Sequence, residues 1–580
     1  MLDSVPIPFQ AILWPLAGGG LLLALHRLLP DWVRRLAAMA AALASLGVLW
    51  SLKAAIGQRV EILWEPLNFF RMSLALAPDG RSLLIGIALA AAAAAMALGI
   101  RARRPQRSVW HGLLLLVLAG CLVLILAANV LALAVGSALI DLALILLVVW
   151  RSGRDEARGA SLSLVAPGIA STMLIFLSAL QMGAELGHGS LLSNVQSDRA
   201  LVLIGVAGAL RALVFPFHAR VLRCPETIAA LLLPLGAGGY LLARVQALSP
   251  ALSALPWAMV LAVLGLLGGG LLAWSSSTRL AERAGGSTSP GRWWTGVLAY
   301  QAGYMLAFVL LLPNGTPWPV VSMVLVLAVL AIWWDAYLDL EVPKSGGLAR
   351  FVASLGPWWE GLWSRTEERL PIPSWWQASG AGRIVALLLP VTALASLAGM
   401  PFTLGARGRW PHYATWLKQG DPSLLLILLA DMLLVAALWA AVGYSWRQSS
   451  EYLPRPAALI AMIGLTVSTV LVGLAPGILV TGLGLQAAER VNVSAWGLGL
   501  LYGLPWLLGV WLARIRSIRR RHLERVWSVV SLNWLFRGAG WLGRYLVDAV
   551  YWLSRVGEGE AWWGWALIIL ALGVILFTMQ

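Results

Sequence analysis

The sequence predicts an all-α membrane protein that crosses the bilayer many times. Hydrophobic residues fill 60% of its 580 positions, charged ones only 12%, and the mean hydropathy is +0.81. Apolar runs of roughly 18 or more residues, the length a helix needs to span the hydrocarbon, recur along the whole chain. The runs are continuous rather than alternating, which excludes a transmembrane barrel. The formal net charge of +16 sits mostly as arginine in short loops, where it sets topology, so no nucleic-acid partner is expected. Cys121 and Cys224 form no CxxC pair, which argues against a disulfide framework, an Fe–S cluster or a zinc site. The N-terminus lacks a charged n-region and a cleavage site, so the first span is expected to be retained.

In chain order, about 16 spans are expected. The first eight cover 9–29, 36–56, 81–100, 110–128, 130–150, 162–183, 200–221 and 226–247. The rest cover 255–275, 293–312, 318–338, 382–402, 423–446, 456–478, 494–515 and 562–579. Arginines fall heavily in alternate loops: Arg34/Arg35, Arg101 to Arg107, Arg151 to Arg158, Arg220/Arg223, Arg279/Arg283, the 339–381 loop, Arg447/Arg455 and Arg514 to Arg525. By the positive-inside rule those loops are cytoplasmic and both termini lie outside, in an inner (plasma) membrane. One loop dissents. Segment 403–422 carries Arg407, Arg409 and Lys418 on the expected outer side, so either some of that charge is buried or the count slips there.

Two segments are too amphipathic to be spans. Within 346–370, Leu348, Phe351, Val352, Leu355, Trp359 and Leu362 share a helical face, predicting an interfacial helix on the cytoplasmic side. Residues 519–556 predict a longer surface helix, with Arg537, Arg544, Asp548 and Arg555 on one face and Leu542, Leu546, Ala549 and Leu553 on the other. At 1.5 Å per residue it could reach some 50 Å, long enough to brace a neighbouring subunit rather than only anchor the chain. The 32 tryptophans cluster near span ends, as an aromatic belt would. The Gly-rich run at 265–270 lies inside an apolar span and permits close helix approach; with no strand before it, it is not a phosphate loop. No nucleotide, flavin or metal motif occurs, so no cofactor is expected.

The segment most suggestive of function is 210–245. Arg211 lies in an apolar helix that Phe215-Pro216-Phe217-His218 breaks, and a second helix runs from near Thr227 to Arg244. A proline break frees backbone groups that protein or water must satisfy at membrane depth. An intramembrane arginine costs roughly 2.5–3.5 kcal/mol on insertion scales and marks a functional-site hypothesis. The combination reads as part of an ion or proton path, or as a kink with a snorkelling arginine. A second proline break, Met400-Pro401-Phe402, lies some 185 residues on, the signature of an internal repeat with two discontinuous helices.

Several motifs then fall in a common order. They are Pro78-Asp79-Gly80 before Ser82-Leu83-Leu84, the turn Ala128-Asn129-Val130-Leu131, Phe215-Pro216-Phe217-His218 with Pro225, and Ala237-Gly238-Gly239-Tyr240-Leu241-Leu242-Ala243-Arg244. Val297-Leu298-Ala299-Tyr300, Gly303-Tyr304-Met305, Ala398-Gly399-Met400-Pro401-Phe402 and Gly473-Leu474-Ala475-Pro476-Gly477 follow. In this order and spacing the chain resembles the antiporter-like membrane subunits of respiratory complex I, membrane-bound hydrogenases and multi-subunit Na+/H+ antiporters. The resemblance implies two inverted five-helix repeats. It divides the chain into N-terminal helices (1–109), a first repeat (110–250) and a second repeat (251–446) with an interfacial segment at 340–380. C-terminal helices (447–518) and a lateral helix with a last span (519–580) complete it.

The departures bear on mechanism. The family's fifth-span glutamate falls at Ala138, with Asp141 one turn on; its seventh-span lysine is Arg211, and its eighth-span histidine falls at Leu233. The lysine before the Leu-Ala-Tyr segment is absent, with Arg292 the nearest cation, and the one after the second break reads Arg409. The three lysines, Lys53, Lys344 and Lys418, all lie away from span centres. Arginine effectively never gives up its proton, so Arg211 can supply a field but cannot hand protons on.

The candidate proton path therefore comprises Asp141, Arg211, His218, Asp431, Arg409, Asp335, Glu226 and Arg244. Asp141 and Arg211 are expected to form an intramembrane ion pair, which could equally be static. His218 could relay protons at the break or simply cap it. Asp431, in the middle of LLLILLADMLLVAAL, is expected to be neutral or paired. Asp335 and Arg409 could serve the second half-channel, while Glu226 and Arg244 bracket the eighth helix. The resemblance implies a non-redox, proton-translocating subunit of a complex-I-like NADH/quinone oxidoreductase, with other membrane subunits, lipid, and protons or Na+ as partners. A cation/proton antiporter subunit and a non-conducting brace are the alternatives.

Overall fold

The computed structural model describes residues 6–62, 74–101, 109–151, 155–186, 190–192, 197–214, 225–249, 256–282, 290–311, 317–338, 380–400, 403–419, 423–448, 456–476, 483, 495–514, 538, 541, 545 and 548. The chain divides into two compact units, Met1–Arg516 and Ser517–Gln580. In the first, the described residues form α1 (Ile7–Ala24), α2 (Asp31–Ser51), α3 (Gly80–Gly99), α4 (Trp110–Leu126), α5 (Val130–Arg151), α6 (Asp155–Leu186), α7 (Asp198–Arg211) and α8 (Pro225–Leu248). These are followed by α9 (Pro256–Glu282), α10 (Pro290–Leu311), α11 (Trp318–Leu338), α12 (Gly380–Leu397), α13 (Leu404–Gln419), α14 (Ser423–Gln448), α15 (Pro456–Leu474) and α16 (Ala495–Arg514). Among the described residues, eleven helices are long and apolar enough to cross a membrane, and the chain is a multi-pass membrane protein.

Fifteen of the expected segments overlap these helices, 200–221 only as far as Arg211; 562–579 lies outside the described residues, as do the interfacial segment 346–370 and most of 519–556. In the second unit, residues 538, 541, 545 and 548 are helical, and Trp541 meets Tyr545 edge-on at 4.5 Å. Two features differ from the expectation. Segment 403–422 is not a loop: α13 fills most of it, and its Arg409 is buried. A short antiparallel hairpin, β1 (Val60–Ile62) and β2 (Leu74–Leu76), interrupts the all-α order between α2 and α3.

Local chemistry accounts for the element boundaries. Asp79 accepts from the Ser82 backbone N–H at 2.6 Å while Ser82 Oγ accepts from the Asp79 N–H at 2.9 Å, a capping box that starts α3. Asn129 Oδ1 accepts from Ala132 N–H at 2.9 Å and starts α5. The tight α4–α5 turn would leave backbone groups unpaired in an apolar setting. β2 and the residue after it take them up: Ala77 N–H donates to Leu126 O at 2.8 Å and Ala128 N–H to Ala75 O at 2.9 Å.

Burial follows composition. α4, α10 and α11 are apolar all round and buried along almost their whole length, so they form the centre, whereas α1, α2 and α6 each keep an exposed apolar face. The glycines of α9 and α10 act as expected: a Cβ on Gly269, Gly296 or Gly303 would collide with the facing helix backbone. α7 ends at Arg211, four residues before Phe215, and α12 ends at Leu397, just before Met400-Pro401. The chain leaves helix at 398–400 and re-enters it at Leu404; Pro401-Phe402 lies outside the described residues. Phe215-Pro216 itself lies outside the described residues.

Candidate functional site

Among the described residues, two buried ion pairs join one helix to another. The first joins α5 to α7. Arg211 closes the last turn of α7, and its Nη2 reaches 3.1 Å from Asp141 Oδ1 and 3.2 Å from Oδ2. Asp141 is 5% exposed and Arg211 4%, so neither charge is solvated. Taking two charges out of water costs several kcal/mol each, and the pair persists only if further hydrogen bonds satisfy both groups. Those bonds come from α5 and α6. Arg211 Nη2 also lies 2.5 Å from Ser137 Oγ, 3.0 Å from Thr172 Oγ1 and 3.3 Å from the Gly168 carbonyl oxygen. Thr172 Oγ1 donates to Asp141 Oδ2 at 2.5 Å and lies 2.9 Å from Ser137 Oγ. Ser137 and Asp141 are one turn apart on α5, as are Gly168 and Thr172 on α6, so two helix faces converge on a single guanidinium nitrogen. Glycine is required at 168, because a Cβ there would lie 2.5 Å from Asp141 Oδ1.

The second pair joins α13 to α14. Arg409 Nη1 donates to Asp431 Oδ1 at 2.6 Å, with each side chain only 2% exposed. The surroundings are aromatic instead of aliphatic hydroxyls. Tyr300 and Tyr413 both donate to the Asp431 carboxylate, and the Arg409 guanidinium lies over Tyr304 at 4.7 Å and Tyr300 at 5.6 Å from the ring centroids. The Asp431 carboxylate is therefore paired, as the expense of a bare carboxylate requires.

Asp335 accepts from the Arg101 backbone N–H at 2.8 Å, just past the end of α3. Arg244 donates from Nη1 to Ala127 O at 2.5 Å and holds α8 to the α4–α5 turn. Glu226 lies in the first turn of α8, with its side chain outside the described residues, and His218 lies outside them altogether. Arg34 and Arg35 are in the first turn of α2 rather than a loop; both bond Asp31, Arg35 at 2.7 Å.

Sequence reading missed Ser137, Gly168, Thr172, Tyr300, Tyr304 and Tyr413 as site residues. Hydroxyls one turn from a charged residue could have flagged Ser137. For Thr172 and the tyrosines, only the packing of distant helices brings them to the charge.

No family model matches the sequence, and no curated protein does either. Solved structures do. The chain is similar to a chain of the Mrp complex from Dietzia sp. DQ12-45-1b, with a TM-score of 0.67 and 17% identity over 98% of its own length; it spans 63% of that chain. A chain of the membrane-bound sulfane sulfur reductase, an archaeal respiratory membrane complex, matches with a TM-score of 0.63 and 16% identity over 98% of this chain and 99% of that one. A chain of respiratory complex I from Thermus thermophilus matches with a TM-score of 0.57 and 20% identity over 82% of this chain and 99% of that one. At these identities the likeness is one of fold: the chain has the fold of the antiporter-like membrane subunits of such complexes.

Proposed function

We propose that this chain is a proton-translocating, antiporter-like subunit of a complex-I-like NADH/quinone oxidoreductase in the inner (plasma) membrane. Its partners are other membrane subunits, which carry the redox chemistry, and protons or Na+ are the ions moved. The observation that carries the reading is the pair of sealed carboxylate–arginine contacts, Asp141–Arg211 and Asp431–Arg409, within this fold. In a low-dielectric interior, opening either contact would change the local field by an amount that water cannot screen. Such a change is the coupling element that a proton path beside the pair needs. Protons would move past Asp141 toward His218 and, in the second half, Asp431, with the arginines as fixed charges.

The helical positions 538, 541, 545 and 548 of the second unit fit the lateral brace expected over 519–556. Trp541 and Tyr545 share one helical face and are both exposed, as side chains awaiting a partner would be. If removal of 519–580 left co-purification with every partner unchanged, the bracing role would be lost. For transport, reconstituted assemblies carrying Asp141→Asn or Arg211→Ala are assayed for redox-driven proton movement. Loss of coupling with assembly intact is expected. Normal coupling in both variants would favour the second reading, a non-conducting brace, which the arginines in place of lysines support. The likeness to the Mrp complex supports a third, a subunit of a multi-subunit cation/proton antiporter; proton movement driven by a cation gradient without electron transfer would select it.

A further inference from the structure

Five oxygens surround one nitrogen at the first ion pair. Ser137 Oγ, both Asp141 carboxylate oxygens, the Gly168 carbonyl and Thr172 Oγ1 all lie between 2.5 and 3.3 Å from Arg211 Nη2. A guanidinium Nη carries two hydrogens in a planar fork, so it cannot direct a hydrogen bond at four separate groups at once. Oxygens gathered around a point are instead the shell that a spherical cation organises. A carboxylate, two hydroxyls and a backbone carbonyl are also the ligand types that replace the hydration of monovalent ions at membrane depth. The side chains of the cage are buried, with Ser137 0%, Asp141 5%, Thr172 5% and Arg211 4% exposed, while Gly168 is half-buried at its edge. Among the described residues, Arg211 Nε has no hydrogen-bond partner, so much of the guanidinium's binding is concentrated at that one nitrogen.

We propose that Ser137, Asp141, Gly168 and Thr172 form an oxygen cage for a dehydrated alkali cation, which Arg211 Nη2 fills as a tethered substitute. Arg211 is then the residue that excludes sodium and potassium from Asp141. Charge is conserved in the exchange, because one free cation replaces one guanidinium beside the same carboxylate. The second pair offers no such cage, since aromatic faces surround Arg409. The inference does not depend on whether the assembly pumps protons, because its readout is ion binding to the purified chain.

The full chain in lipid nanodiscs is tested with radiolabelled sodium and rubidium, as wild type and as Arg211→Ala and Arg211→Met; the methionine variant keeps an apolar stem. Wild type is expected to bind neither tracer, and both variants to approach one ion per chain. Adding Asp141→Asn should abolish the binding, and adding Thr172→Val should weaken it about tenfold. The preferred tracer identifies the ion. Folded variants that bind neither tracer, or binding that survives Asp141→Asn, would overturn the proposal. If the variants fold only in sodium or potassium salts and not in choline, that dependence supports it. Failure to fold in every salt would overturn it as well.

Discussion

Leu213 and Gly399 occupy the same place in two matching helix endings. Each lies in the left-handed region, at φ 56° and 78° respectively, just past the end of α7 or α12. After α7, Val214 N–H reaches Ala209 O at 2.9 Å and Leu213 N–H reaches Leu210 O at 3.1 Å; after α12, Met400 N–H reaches Ala395 O at 2.9 Å and Gly399 N–H reaches Ser396 O at 3.0 Å. Both are Schellman closures ahead of a proline, one built on the preferred glycine and the other on a leucine that pays a steric penalty. Gly399→Ala is expected to cost about 1–2 kcal/mol, because it introduces the Cβ clash that Leu213 already carries. Leu213→Gly should cost less than the roughly 2–5 kcal/mol typical of truncating a buried leucine, since strain relief offsets lost packing. Thermal unfolding of the two variants in one detergent checks both.

Gly168 sets how closely α6 approaches the first pair. Gly168→Ala would put a Cβ 2.5 Å from Asp141 Oδ1, so the carboxylate or the helix must shift. We expect a loss of about 1–3 kcal/mol in stability, together with impaired proton coupling. Gly183→Ala lies in the same helix with nothing within 4 Å of its added Cβ and should be neutral, which makes it the control. Equal behaviour of the two variants would contradict the close approach.

Thr172→Val keeps the side-chain volume and removes only the hydroxyl. That hydroxyl bonds Asp141 Oδ2 and touches Ser137 Oγ and Arg211 Nη2, so three buried polar groups lose a partner. A cost of about 1–3 kcal/mol in thermal stability is expected. A double-mutant cycle with Ser137→Ala should show coupling, because the two hydroxyls serve one nitrogen.

The charges in this site were legible in the sequence, and their surroundings were not. Asp141, Arg211, Asp431 and Arg409 stand out because a charge inside an apolar run is expensive wherever it lies. Serine, threonine and tyrosine carry no such cost and occur throughout membrane helices, so Thr172 and Tyr413 gave no signal until α6 and α13 were packed. α13 is hidden in the sequence for a related reason. Its sequence LGARGRWPHYATWLKQ is too polar for a span, yet both arginines are bonded within the chain: the buried Arg409 to Asp431, and the exposed Arg407 from Nε to the Gly473 carbonyl at 3.1 Å. The β1–β2 hairpin escaped because two three-residue strands are too short to show an alternating pattern.

The two arginines should respond differently to lysine. Among the described residues, the polar contacts of the Arg211 guanidinium run through Nη2, toward oxygens that a single ammonium could also serve. Arg211→Lys is therefore expected to be tolerated, and it would restore the residue that the resemblance places there. Arg409 is held in two ways at once, through the Asp431 bond at 2.6 Å and through cation–π contact with Tyr304 and Tyr300, 4.7 and 5.6 Å from the ring centroids. A lysine, whose charge is compact rather than planar, cannot keep both ring contacts while reaching the carboxylate. Losing those contacts alone costs about 0.5–2 kcal/mol, and a misplaced cation would weaken a fully buried ion pair further. Thermal stability and redox-driven proton movement are measured for both substitutions in the intact assembly. Arg409→Lys should lower stability by about 1–3 kcal/mol while Arg211→Lys changes it little. The reverse order would mean that the fork of Arg211, not the ring contacts around Arg409, is the geometry this chain depends on.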